Sequence, residues 1–200
     1  STLTPQAEQA RAFAEPILKA IADHPPDYQD DFSDPKSGWP VGSTPSGDKW
    51  GYEDDTYFIS ATRRSGDACC GAAPAHALVF SDFVLEIDAQ FNSGERGNWY
   101  VLFRGSEDAH HYGVGLSVDG DLRIWRNGHE VNTESHGTLG ETRITNFEMG
   151  DRTNHLTIIA QGPQIAVYVN GAPAWLIYDE SLSKGWITLG VGNEAEQTTL

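Results

Sequence analysis

The segment Glu86-Ile87-Asp88-Ala89-Gln90 sets two carboxylates and an amide at every second position. On a β-strand that spacing sends Glu86, Asp88 and Gln90 to one face and leaves Phe83, Leu85, Ile87, Ala89 and Phe91 for the core. Carboxyl groups so placed can cleave a glycosidic bond only where one partner delivers a proton to the departing oxygen and later activates water. Gln90 stands third in the row, and an amide does neither. The row therefore reads as acceptors for a ligand's hydroxyls, or as structural partners of Arg104 on a neighbouring strand.

Other side chains able to do chemistry are scattered. His76, His110 and His111 have neither a nucleophile nor a carboxylate ligand at a recognisable spacing, so surface histidines are the simpler reading. Cys69 and Cys70 are adjacent. Neighbouring α-carbons lie about 3.8 Å apart, short of the roughly 4.4 to 6.8 Å usual across a disulfide. They are two loop thiols or one strained vicinal disulfide, and no histidine stands at zinc-finger spacing from them.

The elements that must hold these residues are mostly strands. Residues 154 to 192 alternate Ile, Val, Leu, Tyr and Trp between the turns Gly162-Pro163 and Asn170-Gly171. Further strands are expected at Thr56 to Ala61, Asp82 to Phe91, Trp99 to Arg104, Tyr112 to Val118 and Leu122 to Arg126. A two-residue turn at Asn170-Gly171 pairs Val169 with Ala172, Val167 with Ala174 and Ile165 with Leu176. A three-residue loop through Asp121 pairs Val118 with Leu122 and Leu116 with Ile124. That register sets Trp125 opposite Gly115, on a face shared with His111, Gly113, Ser117 and Arg123. There Trp125 is a stacking platform, a shield over glycine backbone, or both. Trp99 joins Val101 and Phe103 in the core, and Trp175 opposes Ala166 beneath the N-terminal helix.

That helix follows from Thr4 as cap, Pro5 in the first turn, and an apolar face of Ala7, Ala10, Phe13 or Ala14, Ile17 and Ile21. Pro16 is expected to kink or split it, and His24-Pro25-Pro26 to end it. Tyr28 to Ser33 then reads as a first short strand. Residues 1–27 form a helical segment or linker and 28–200 a single β-domain. The helix is a stalk from an anchor or is packed on the domain; packing is favoured.

Composition narrows the function. Thirteen basic residues against 29 acidic ones give a formal charge of −16, which repels a phosphate backbone or an anionic membrane. No run of about 18 apolar residues predicts a membrane span. Any export signal or anchor is expected outside this chain.

In order, Asp30-Asp31-Phe32-Ser33-Asp34-Pro35 with Gly38-Trp39, Asp82 to Ala89, Val101 to Arg104, His111 to Val114, Asn154-His155-Leu156, and Val169-Asn170-Gly171 with Asp179 and Gly185-Trp186-Ile187 resemble the concanavalin A-like lectin/glucanase jelly rolls. The likeness is strongest to the branch of laminin-G-like and 3-keto-disaccharide hydrolase-like domains. It implies a two-sheet antiparallel jelly-roll sandwich whose concave face often holds glycans; with the helix read above, the expected fold is all-β, that sandwich with a short N-terminal helix. The strand of Glu86 and Asp88 resembles the catalytic strand of family-16 glucanases, except that Gln90 replaces the general acid. The resemblance requires no cofactor. It leaves calcium open, with Asp31, Asp34 and Asp179 as oxygen ligands, although no contiguous loop supplies a full set. Such domains close with an apolar strand beside the first one. Here Asn193 to Leu200 lacks that pattern, which would leave the first strand as an open edge.

These readings converge on a non-catalytic carbohydrate-binding or sensing domain, extracellular or at the cell surface, as a piece of a larger protein. Its ligand face is expected to carry Glu86, Asp88, Gln90, Tyr100, Arg104, His111 and Trp125. The partner is a glycan or polysaccharide. The alternatives are a glycosidic-bond-cleaving enzyme of the 3-keto-disaccharide hydrolase-like group and a laminin-G-like module binding another protein. No catalytic residue and no metal ligand is assigned.

Overall fold

The computed structural model describes residues 3–62, 68–72, 79–92, 97–106, 108, 110–127, 136–193 and 197–199. Its elements are α1 (Pro5–Ile21), β1 (Gly42–Ser43), β2 (Lys49–Glu53), β3 (Thr56–Thr62), β4 (Ala68–Ala72), β5 (Phe83–Ala89), β6 (Gly97–Gly105), β7 (His111–Ser117), β8 (Asp121–Asn127), β9 (His136–Arg143), β10 (Asn154–Gln161), β11 (Gln164–Val169), β12 (Ala172–Tyr178), β13 (Trp186–Asn193) and β14 (Gln197–Thr199). A six-stranded antiparallel sheet, β4-β13-β6-β7-β8-β9, faces a four-stranded one, β12-β11-β10-β5. A small third sheet, β1-β2-β3-β14, packs through β3 on β4 and β13.

Alternation fills the space between the two large sheets. Trp99, Val101, Phe103, Val114, Leu116, Leu122 and Ile124 from one meet Leu156, Ile158, Ala160, Ile165 and Val167 from the other, all buried. β10 is buried on both faces because α1 covers its outer side. Ala10, Ala14, Phe13 and Ile17 pack over Ile159, Ala166, Tyr168, Val84 and Leu176. The helix is thus docked on the sandwich. Thr4 caps it, its hydroxyl accepting from the Ala7 amide at 3.2 Å. It does not split at Pro16, because Pro16 and Ala12, whose carbonyl the proline leaves without a donor, both lie on the solvent side.

Tyr28 to Ser33 is not a strand. Asp30 and Asp31 instead turn back on the amides of Phe32 and Ser33, at 2.8 and 3.1 Å, and Phe32 takes a left-handed φ of 61°. Such Asx turns compete with sheet pairing. The C-terminal segment forms a three-residue strand, β14, which pairs with β3 rather than with Tyr28 to Ser33.

At Asn170-Gly171 the turn pairs Val169 with Ala172 as expected, but a bulge at Ala174 then sets Trp175 opposite Val167 and Leu176 opposite Ala166. Trp175 therefore lies against the main core, its indole over Gly140 of β9, and Leu176 takes the place beneath α1. The loop after β7 is three residues, Val118 to Gly120, ending in left-handed Gly120 at φ 84°. It pairs Leu116 with Leu122 and Val114 with Ile124, two positions from the expected register. Since two positions restore the same face, the side-chain orientation survives. Asn170 also explains its own motif. Its side chain accepts from the His155 amide at 2.8 Å and donates to Asn154 and Asn146, tying the loop before β10 to the β11–β12 hairpin.

Candidate functional site

Register defines the outer face of the six-stranded sheet row by row. One row runs Gly190, Tyr100, Gly115, Arg123, Glu141; the next runs Thr188, Leu102, Gly113, Trp125, Thr138. Both aromatic rings lie down over neighbouring glycines. A Cβ on Gly113 would stand 2.1 Å from the Trp125 ring, and one on Gly115 would stand 3.1 Å from its far edge, so the indole spans the two glycines of β7. Tyr100 leans the other way, over Gly190 of β13, where a Cβ would come within 2.3 Å. The rings meet edge to face, 6.0 Å between centroids at 78°. Both are half-buried. His111 stands one row beyond Gly113, opposite Asn127.

The expected ligand residues do not share that face. Tyr100, His111 and Trp125 lie on it, whereas Glu86 and Asp88 project from the outer side of the four-stranded sheet, the side α1 covers in part. The two outer sides of a sandwich point apart. Alternation shows which residues of a strand share a side; it does not show which sheet the strand joins, and β5 joins β10 rather than β6. There His155 of β10 lies between the carboxylates. Its Nδ1 is 2.8 Å from Asp88 and its Nε2 3.8 Å from Glu86, with all three side chains more than a third exposed. His155, opposite Asp88 in register, is the partner the sequence reading missed; the pairing expected with Arg104 does not form.

Arg104 is buried and has a φ of 51°, which breaks the alternation of β6 and turns its side chain inward. It donates to the carbonyls of Ser81, at 2.8 and 3.1 Å, and Leu182, at 3.0 Å, and pairs with Asp82 at 3.8 Å. It is a strap across the loops at one end of the sandwich. Gln90 is likewise occupied, donating to Asn92 at 2.9 Å and accepting from Thr153 at 3.3 Å.

The same end of the sandwich holds a network that sequence reading missed. The buried Tyr112 hydroxyl donates to Asp179 at 2.7 Å and accepts the Leu182 amide at 3.2 Å, while Arg126 pairs with Asp179 at 2.8 Å. Burial, then the bond to Asp179, pushes the Tyr112 hydroxyl up to about 12. Burial acts to raise the Asp179 carboxyl, but bonds from Ser181 and Tyr112 and the Arg126 charge outweigh it and hold it below its ordinary value. Asp179, which the resemblance left open as a calcium ligand, is paired with Arg126. Asp31 and Asp34 cap backbone turns. Among the described residues no group of three metal-ligating side chains converges. His76 and the side chains of Cys69 and Cys70 lie outside the described residues, although the backbone of β4 pairs Cys70 with Val191 and Cys69 with Gly192.

No protein-family model and no curated protein matches the sequence. Solved structures do match. The carbohydrate-binding module CBM66 from Bacillus subtilis is 18% identical at a TM-score of 0.60, over 82% of this chain and 91% of that one. A GlcNAcα1-4Gal-releasing endo-β-galactosidase from Clostridium perfringens is 12% identical at 0.59, over 86% of this chain and 60% of the enzyme. A Bacillus subtilis protein of unknown function with a galectin-like fold is 11% identical at 0.59, over 86% and 92%. At such identities the shared property is the fold, a concanavalin A-like jelly-roll sandwich.

Proposed function

We propose that this chain is a non-catalytic carbohydrate-binding or sensing domain of an extracellular or cell-surface protein, and that its glycan lies on the outer face of the six-stranded sheet. One observation carries the reading: two aromatic rings bedded on glycines, so that each is fixed by the sheet beneath it while remaining half open to solvent. A sugar's apolar face stacks on such a ring, and a ring already immobilised loses little further freedom on binding. Around the pair stand short polar groups, Thr138, Asn127 and His111, suited to hydroxyls. Two of the fold's relatives are named for carbohydrate binding or cleavage, which supports the ligand class by analogy of fold.

The acidic row is left out of this site. Glu86 and Asp88 flank His155 on the opposite side of the molecule, and Gln90 offers no proton. The domain is expected to act without calcium.

A glycan array read with calcium and with chelator tests the proposal. Saturable binding in both conditions is expected, and Trp125→Ala should weaken it at least tenfold while thermal unfolding still reports a cooperative fold. An array without hits, alongside capture of one protein partner, would favour a protein-interaction module instead.

A further inference from the structure

Among the described residues, arginine pairing has one exception. Arg11, Arg104, Arg126, Arg143 and Arg152 each have a carboxylate within 4 Å, at Glu15, Asp82, Asp179, Asp121 and Glu148. Among the described residues Arg123 alone of the arginines has none, although acidic residues outnumber basic ones 29 to 13. Its register partner across the sheet is an acid, Glu141, directly opposite on the same face. The guanidinium does not close on it. It reaches along β9 instead, to the Thr138 hydroxyl at 3.5 Å, and Thr138 is the residue opposite Trp125. Arg123 is exposed, and its own partner on β7 is Gly115, over which the edge of the indole passes. An open guanidinium fork therefore stands beside the stacking ring, with no side chain on Gly115 to screen it.

We infer that Arg123 makes this face selective for acidic sugars, its guanidinium receiving a carboxylate or sulfate of the glycan while Trp125 stacks on the ring. This rests on the glycan-binding reading and names the ligand class for that site. The guanidinium suits the task because its planar fork binds a carboxylate by two parallel hydrogen bonds, and a bond of that kind is about twice as strong as one between neutral groups. The chain's negative charge does not forbid it. Screening reduces charges beyond about 8 Å to little effect at physiological ionic strength. On the face itself, Asp121 is paired with Arg143, and Glu141, opposite Arg123 in register, forms no ion pair with it.

The experiment compares uronic-acid oligosaccharides with the same chains reduced at their carboxyl groups, and sulfated with desulfated oligosaccharides, by titration calorimetry against the whole chain. The acidic form is expected to bind at least tenfold more tightly than its neutral counterpart, with an advantage that shrinks as salt rises. Arg123→Gln should abolish the advantage and its salt dependence, and Arg123→Lys should restore part of it. The carboxylate and sulfate arms decide which anion is preferred. Equal affinity for acidic and neutral chains, or an advantage that persists in Arg123→Gln, overturns the inference and leaves the site intact. Binding untouched by Trp125→Ala overturns the site itself.

Discussion

Tyr112 and Asp179 tie stability to pH in opposite directions. The hydroxyl ordinarily loses its proton near 10.0 and is held up to about 12 in the fold. Its contribution is therefore complete below pH 10 and is lost as pH climbs from there toward 12. Asp179 runs the other way. Its folded value lies below the ordinary 3.8, so its contribution is present above 3.8 and is lost as pH falls through the lowered value. Tyr112→Phe leaves the Leu182 amide and Asp179 short of a partner inside the protein, which should cost about 1–3 kcal/mol at neutral pH. Urea unfolding across pH checks both limbs. In Tyr112→Phe the decline between pH 10 and 12 should flatten, and in Asp179→Asn the acid decline should do the same. Unchanged limbs would mean that other groups set them.

At the scale of elements, glycines and bulges decide where large rings go. Gly113→Ala puts a methyl group where the Trp125 ring lies, so the indole must lift from β7. Glycan binding should fall at least tenfold with only a small change in melting temperature, because no core side chain moves; intact binding would mean that the ring does not need its bed. On the opposite side of the molecule, Ala14→Leu overfills the contact of α1 with the four-stranded sheet and should destabilise by about 1–3 kcal/mol, read by chemical denaturation, without affecting the glycan face. Elements were legible where the alternation is strong. The strands expected at Thr56 to Ala61, Asp82 to Phe91, Trp99 to Arg104, Tyr112 to Val118 and Leu122 to Arg126 lie within two residues of the observed ends. β9, His136–Arg143, was not, because Gly137, Thr138, Gly140 and Glu141 carry no apolar period. The strand expected at Tyr28 to Ser33 was lost to aspartates that satisfy their own backbone. Trp125 was given the correct face through the wrong partner, since a two-residue error in register preserves sidedness. Trp175 was misplaced because a bulge leaves no mark in composition.

For the whole molecule, the candidate site was legible only within strands. Which residues of β5 point together follows from a period of two; which sheet β5 joins follows from long-range pairing that no local pattern encodes. Hence one expected ligand face became two opposite sides, with Tyr100, His111 and Trp125 on one and Glu86 and Asp88 on the other. Arg104, outward by alternation, was turned in by its backbone. What remains is a sandwich with one side partly covered by a helix and the other lined by glycines and rings. The most direct measurement is backbone and indole amide NMR of the chain titrated with a glycan that it binds. Shifts concentrated at Tyr100, Gly113, Gly115, Arg123 and the Trp125 indole are the expected result. Shifts centred on Glu86, Asp88 and His155, with the indole of Trp125 unmoved, would contradict the account.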